Sequence, residues 1–133
     1  MGLDVSHDAF RGAYSTFNRL RQAVAKAIGG SFPSHQDPVK YPDSNVWHYD
    51  DELFDLNAHP GVRMFLCWSD CDGEHTPEEC AVVARDLESI IQKIDEGLDW
   101  GHLAAVGGSR AALQKFIDGC KRASGASEKL VFH

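Results

Sequence analysis

Three carboxylates lie close together near the middle of the chain, where Asp70, Asp72 and Glu74 alternate with Cys71 and Gly73. Charges of one sign at this spacing repel one another, so a folded segment either leaves them in water or binds a cation between them. Carboxylate oxygens are the ligands that Ca²⁺ and Mg²⁺ take in proteins. These three acidic residues are therefore a candidate site for a divalent cation.

The spacing of the three carboxylates agrees only in part with a calcium-binding loop. Such a loop takes glycine at its sixth position and an acid at its twelfth, where this chain has His75 and Ala81. A solvated acidic turn before a helix accounts for the same residues, because carboxylates are stabilised near a helix N-terminus by the helix dipole. Both interpretations stay open from the sequence.

His7 is a candidate general base near the start of the chain, with Asp4 and Asp8 as possible orienting carboxylates. Asp8 also suits the first turn of a helix, where it would be stabilised by the free backbone amides. Arg11 and Trp68 could supply a guanidinium and a ring face for the phosphates and base of a nucleotide. The predicted ligand-binding residues are those that could share one cleft: His7, Arg11, Trp68, Asp70, Asp72 and Glu74.

The cysteines do not form the two close pairs of a four-cysteine zinc site. Cys80 falls on the apolar stripe of a predicted helix, where a thiol packs as a small hydrophobic group. Because we find no secretory signal and no membrane-spanning run, we expect a cytoplasmic protein with free thiols.

Apolar periodicity and capping signals predict one α+β domain over residues 1–133. Residues at steps of three and four predict a helix over residues 7–28, with Ser6 as its cap. Thr76, Pro77 and Glu79 predict the start of a second helix, which continues to about residue 96. We expect three main helices on one face of a two- or three-stranded sheet. The third helix is predicted over residues 109–125. The strands are predicted over residues 46–49, 62–68 and 130–133.

Composition limits the class of partner. The 133 residues are 43% hydrophobic with a net charge of −7, as in an ordinary acidic soluble domain. Thirteen Lys and Arg are scattered among twenty Asp and Glu, so the basic stripe needed to bind phosphate backbones is missing. We therefore expect no nucleic-acid and no membrane partner.

Three stretches resemble a family of small uncharacterised proteins from bacteria and their phages. They are the opening GLDVSHDAF, the acidic box SDCDGE at residues 69–74, and the C-terminal part with FIDGC at residues 116–120 and the final Phe132 and His133. The resemblance implies a bacterial or phage setting. It implies no activity, ligand or catalytic residue.

Together these patterns favour a non-enzymatic protein that binds a small polar ligand, such as a nucleotide-derived signal. One alternative is a metal-dependent hydrolase that uses the acidic box, with His7 as base. Another is an inhibitor whose acidic surface binds a host protein. The sequence does not decide among these three functions.

Overall fold

The computed structural model describes residues 2–28, 58–67, 73–94 and 108–132. Within these ranges the chain forms four helices and a four-stranded antiparallel sheet, so the α+β class is confirmed, but the predicted three helices and two or three strands are too few. No helix in the described ranges has the length and apolar character needed to cross a bilayer. The elements are β1 Gly2–Val5, β2 Phe10–Ala13, α1 Tyr14–Ala27, α2 Pro60–Cys67, β3 Gly73–His75, α3 Pro77–Ile90, a 3₁₀ turn Ile91–Lys93, α4 Ser109–Gly125 and β4 Leu130–Phe132.

The strands lie in the order β2-β1-β4-β3, and every neighbouring pair is antiparallel. Because side chains alternate along a strand, each strand has an inner and an outer face. The inner side chains are buried and include Leu3, Val5, Phe10, Leu130 and Phe132. The outer side chains Asp4, Arg11 and Glu74 are exposed, so the helices pack against the inner face.

The core joins the inner face of the sheet to all four helices in a single hydrophobic cluster. At its centre is the ring of Phe17 in α1, which is fully buried. Its centroid lies 5.0 to 5.9 Å from the ring centroids of Phe10, Phe65, Phe116 and Phe132. Strands β2 and β4 and helices α1, α2 and α4 therefore meet at one aromatic cluster.

The predicted strand over residues 62–68 is wrong, because residues 60–67 form helix α2. Val62, Phe65 and Leu66 are fully buried at steps of three and four, and a short apolar run of this kind suits either structure. The deciding contact comes from far along the chain. The buried carboxylate of Asp86 in α3 accepts a hydrogen bond of 2.7 Å from the N–H of Gly61 and so caps the start of α2.

The predicted helix over residues 7–28 is correct only from Tyr14 onward, because the preceding residues form a hairpin. His7 and Asp8 have φ of 60° and 57°, and the N–H of Ala9 donates to the carbonyl of Ser6 at 3.2 Å. Positive φ at both central residues is the signature of a type I′ turn, whose twist matches a two-residue hairpin connection. Ser6 is therefore a turn residue and not a helix cap.

Helix α3 begins where it was predicted, but it ends at Ile90 and passes into the 3₁₀ turn, so the predicted end near residue 96 is wrong. The hydroxyl of Thr76 accepts from the N–H of Glu79 at 3.1 Å, and the Glu79 carboxylate accepts from the N–H of Thr76 at 2.9 Å, which completes the capping box. Helix α4 also lies where it was predicted. The C-terminal strand is confirmed, but it pairs with β1 and β3 and not with residues 62–68. The predicted strand over residues 46–49 lies outside the described residues.

Gly119 and Gly125 provide a matched pair of substitutions in α4. A Cβ at Gly119 would overlap Ala9 in the hairpin turn, where even the Ala9 Cα would be only 2.6 Å away, whereas a Cβ at Gly125 meets nothing within 4 Å. We expect Gly119→Ala to lower the free energy of unfolding by about 1–3 kcal/mol through overpacking. Gly125→Ala should leave it unchanged within about 0.5 kcal/mol or raise it slightly. Urea denaturation of both variants tests this, and equal effects would contradict the packing of the turn on α4.

Candidate functional site

His7 lies at the tip of the β1–β2 hairpin, within a chain of hydrogen bonds. The Ser6 Oγ is 3.0 Å from His7 Nδ1, and His7 Nε2 is 3.1 Å from the Glu128 Oε1. The N–H of Val131 donates to the Ser6 Oγ at 2.8 Å, so the hydroxyl proton can be donated to Nδ1. The ring then carries its own proton on Nε2, where it is donated to Glu128.

The order hydroxyl, imidazole, carboxylate is the order found in hydrolases with an activated serine. Here, however, the hydroxyl oxygen already accepts from the Val131 N–H, and the backbone of Ser6 donates to the Val131 carbonyl at 2.9 Å. Ser6 is thus bound to β4 through both its side chain and its backbone. This geometry favours a structural link between the hairpin and β4 over a nucleophile.

Helix α4 also holds the hairpin tip. Arg122 donates to the carbonyl oxygen of His7 from Nε at 3.0 Å and from Nη2 at 2.6 Å. Asp8, predicted to orient the His7 ring, instead lies 3.5 Å from the Lys115 ammonium. The carboxylate that meets the His7 ring is Glu128, which is 121 residues away in sequence and was not predicted.

Glu74 is the carboxylate of the acidic box that the described residues include, and it is exposed on the edge strand β3. Its carboxylate lies 3.1 Å from the ammonium of Lys129. Trp68, Asp70 and Asp72 lie outside the described residues. Among the residues that the structure does describe, no three His, Cys, Asp or Glu side chains form a group that could hold a metal ion.

The predicted ligand-binding residues with described positions do not form one cleft. Arg11 is on β2 and Glu74 is on β3, the two outermost strands of the sheet. Three strand spacings separate them, which is roughly 14 Å. His7 lies at the hairpin tip beyond the end of β1. The structure thus brings none of these three side chains to a common centre.

His75 is a half-buried histidine that the sequence analysis did not select as a ligand-binding residue. It belongs to β3, and its ring packs edge-on against Phe132 with centroids 5.5 Å apart. Burial lowers the pKa of His75, with a smaller lowering by the positive charge of Arg21 and an opposing effect of Glu79. The side chain therefore favours the neutral form and packs against Phe132 at the edge of the core.

A groove of about 350 Å³ lies between α3 and α4, away from the residues that sequence reasoning selected. Small side chains on both helices leave this space open, and charged side chains border it. The Lys121 Nζ lies 2.9 Å from the Glu88 Oε2. The Nε of Arg85 donates to the Asp86 carboxylate at 2.9 Å. The lining residues are Ala81, Ala84, Arg85, Glu88, Lys121, Ser124 and Gly125.

The sequence did contain a signal for this groove. Ala81 and Ala84 are three residues apart on α3, and Ser124 and Gly125 are adjacent on α4, so small residues could face one another. That signal becomes visible only when α3 and α4 are known to be neighbours.

No family model, curated protein or solved structure matches this chain.

The link between the hairpin and β4 can be tested with two alanine substitutions. Ser6→Ala removes the acceptor for the Val131 N–H, and we expect it to lower the free energy of unfolding by about 1–2 kcal/mol. Glu128→Ala removes only an exposed partner of His7 and should change stability by less than about 0.5 kcal/mol. Chemical denaturation at neutral pH measures both. A larger loss of unfolding free energy for Glu128→Ala than for Ser6→Ala would contradict the role of Ser6 as the main link between the hairpin and β4.

Proposed function

We propose that the protein is a non-enzymatic binding protein whose ligand occupies the α3–α4 groove. The ligand is a small molecule that joins an anionic group to a short apolar or aromatic body. The observation that carries this proposal is a groove lined by small residues and by two cationic side chains, Arg85 and Lys121.

The size and lining of the groove support a small ligand. Its volume falls within the range of about 300–1,000 Å³ that is typical of small-molecule sites. Ala81, Ala84 and Gly125 offer mainly apolar surface to the groove, which suits a hydrocarbon or aromatic group. Ser124 adds a hydroxyl that can orient a polar substituent.

The two cationic side chains that line the groove support an anionic group on the ligand. Lys121 pairs with Glu88, but both side chains are 49% exposed, and ion pairs of this kind contribute little stability. A phosphate or carboxylate can therefore replace Glu88 as the partner of Lys121 at small cost. Arg85 adds a planar guanidinium, which binds phosphate and carboxylate in a fork geometry.

The charge distribution disfavours the alternative of an inhibitor with an acidic docking surface on the described part of the chain. The described residues contain twelve Lys and Arg against nine Asp and Glu. Their net charge is thus slightly positive, although the whole chain carries −7. The described surface is better suited to an anionic ligand than to a basic partner.

Titration by ¹⁵N–¹H correlation NMR with three probes tests the proposed function. The probes are inorganic phosphate, adenosine monophosphate and hexanoate. We expect adenosine monophosphate or hexanoate to shift the backbone amides of Ala81, Ala84, Ser124 and Gly125, because each probe combines an anion with an apolar or aromatic body. Phosphate alone should bind more weakly, because it does not cover the apolar surface of the small lining residues.

Two alanine-to-leucine variants provide the matched control. Ala81→Leu fills the groove and should weaken binding at least about tenfold, the equivalent of 1.4 kcal/mol. Ala111 is an exposed alanine on α4 that does not line the groove, so Ala111→Leu should leave binding unchanged. Equal affinities for the two variants, shifts confined to the hairpin tip, or no shift with any probe would contradict the proposal.

A further inference from the structure

Cys80 and Cys120 are both fully buried and reduced, and they lie on facing sides of α3 and α4. The two helices run antiparallel, because Arg110 at the start of α4 donates to the carbonyl of Ile94 at 3.1 Å, just beyond the 3₁₀ turn that follows α3. The end of α4 in turn lines a groove with the middle and second half of α3. Because the helices are antiparallel, the first turn of α3 lies beside the C-terminal part of α4.

The side chains of Cys80 and Cys120 are hydrogen-bonded to each other across the α3–α4 interface. The thiol of Cys120 donates to the sulfur of Cys80, which also accepts from the N–H of Leu130. The thiol of Cys80 is directed toward the carbonyl oxygen of His75, with a sulfur–oxygen distance of 3.9 Å. No side chain therefore separates the two thiols.

We propose that Cys80 and Cys120 form a redox-active dithiol, which a two-electron oxidant converts to a disulfide that cross-links α3 to α4. In the first step the Cys80 thiolate attacks the oxidant and forms a covalent adduct. The Cys120 sulfur then loses its proton, attacks Cys80 and displaces the reduced oxidant. The dithiol gives up two electrons and two protons, and a diazene such as diamide takes them up to become a hydrazine.

The environments of the two thiols assign their roles. Hydrogen bonds from Cys120 and from the Leu130 N–H lower the pKa of Cys80, although burial and the nearby Glu79 and Glu78 act in the opposite direction. The same contact with Cys80, together with burial, raises the pKa of Cys120. A lowered pKa favours the thiolate, which is the reactive form, and so favours Cys80 as the nucleophile. Cys120 is the resolving thiol.

Access to Cys80 requires a local opening, since its side chain is fully buried. Strand β3 is only three residues long, and its described pairing is with β4 alone. Short edge elements of this kind open at a lower free energy than the whole domain. Loosening of β3 would uncover the first turn of α3, where Cys80 lies.

Peptide mapping after oxidation tests the assignment directly on the unmodified chain. Protein treated with diamide is alkylated and digested with trypsin and a glutamate-specific protease, which separates residues 80–85 from Cys67 and Cys71. The expected product is the peptide of residues 80–85 joined to the peptide of residues 116–121. Its mass is lower than the sum of the two reduced peptides by two hydrogen atoms, and reduction separates the two peptides again. Cross-links confined to Cys67 or Cys71, or oxygen addition at Cys80 without a cross-link, would overturn the proposal.

A stability measurement separates a native cross-link from one formed in unfolded chains. In a Cys67→Ser/Cys71→Ser background, oxidation should raise the Tm by roughly 10 °C, because the disulfide closes a long loop of the unfolded chain. Reduction should reverse this rise. The same background with Cys120→Ser added is the control, and its Tm should not rise. A fall in Tm on forming the Cys80–Cys120 bond would contradict the proposal, since it would show that the bond strains the fold.

Discussion

The packing of the Phe17 ring is the constraint on which the rest of the described structure depends. Its four aromatic neighbours come from β2, α2, α4 and β4, so a single side chain of α1 touches elements from both ends of the chain. The guanidinium of Arg21, one turn further along α1, lies 4.8 Å from the Phe17 ring centroid. Burial of each ring contributes about 1.5–3 kcal/mol, and close packing fixes the rings relative to one another.

This aromatic cluster positions the candidate sites indirectly. Phe116 packs on Phe17 and Phe65, which sets the rotation of α4. With that rotation fixed, Gly119 receives the hairpin turn, Cys120 faces α3, and Lys121 borders the groove. The hairpin tip, the dithiol and the groove are thus three consequences of how one helix is seated on the aromatic core.

Signals that act within a few residues explain which parts of the fold the sequence could predict. Thr76 and Glu79 cap α3 by contacts three residues apart, and the apolar stripes of α3 and α4 follow helical periodicity over several turns. The error at residues 60–67 has the opposite cause, because the cap of α2 is Asp86, which is 25 residues away. Local periodicity of so short a segment could not distinguish helix from strand.

The hairpin was missed because its turn lacks the residues that usually mark one. His7 and Asp8 adopt the positive φ angles that Asn and Gly most often provide, and the residues after them continue the apolar spacing of α1. The long-range partners of the site were equally hidden from sequence. Glu128 meets His7 and Cys120 meets Cys80 only after β4 and α4 have packed, so spacing along the chain carries no trace of either contact.

Nuclear Overhauser effects among the aromatic ring protons of the native protein test the packing of Phe17 most directly. We expect contacts from the Phe17 ring to the rings of Phe10, Phe65, Phe116 and Phe132, all with centroids within 5.9 Å. Absence of the Phe17–Phe65 and Phe17–Phe116 contacts would contradict it. In that case α2 and α4 would not be seated on a common core, and the groove and the dithiol would lose their structural basis.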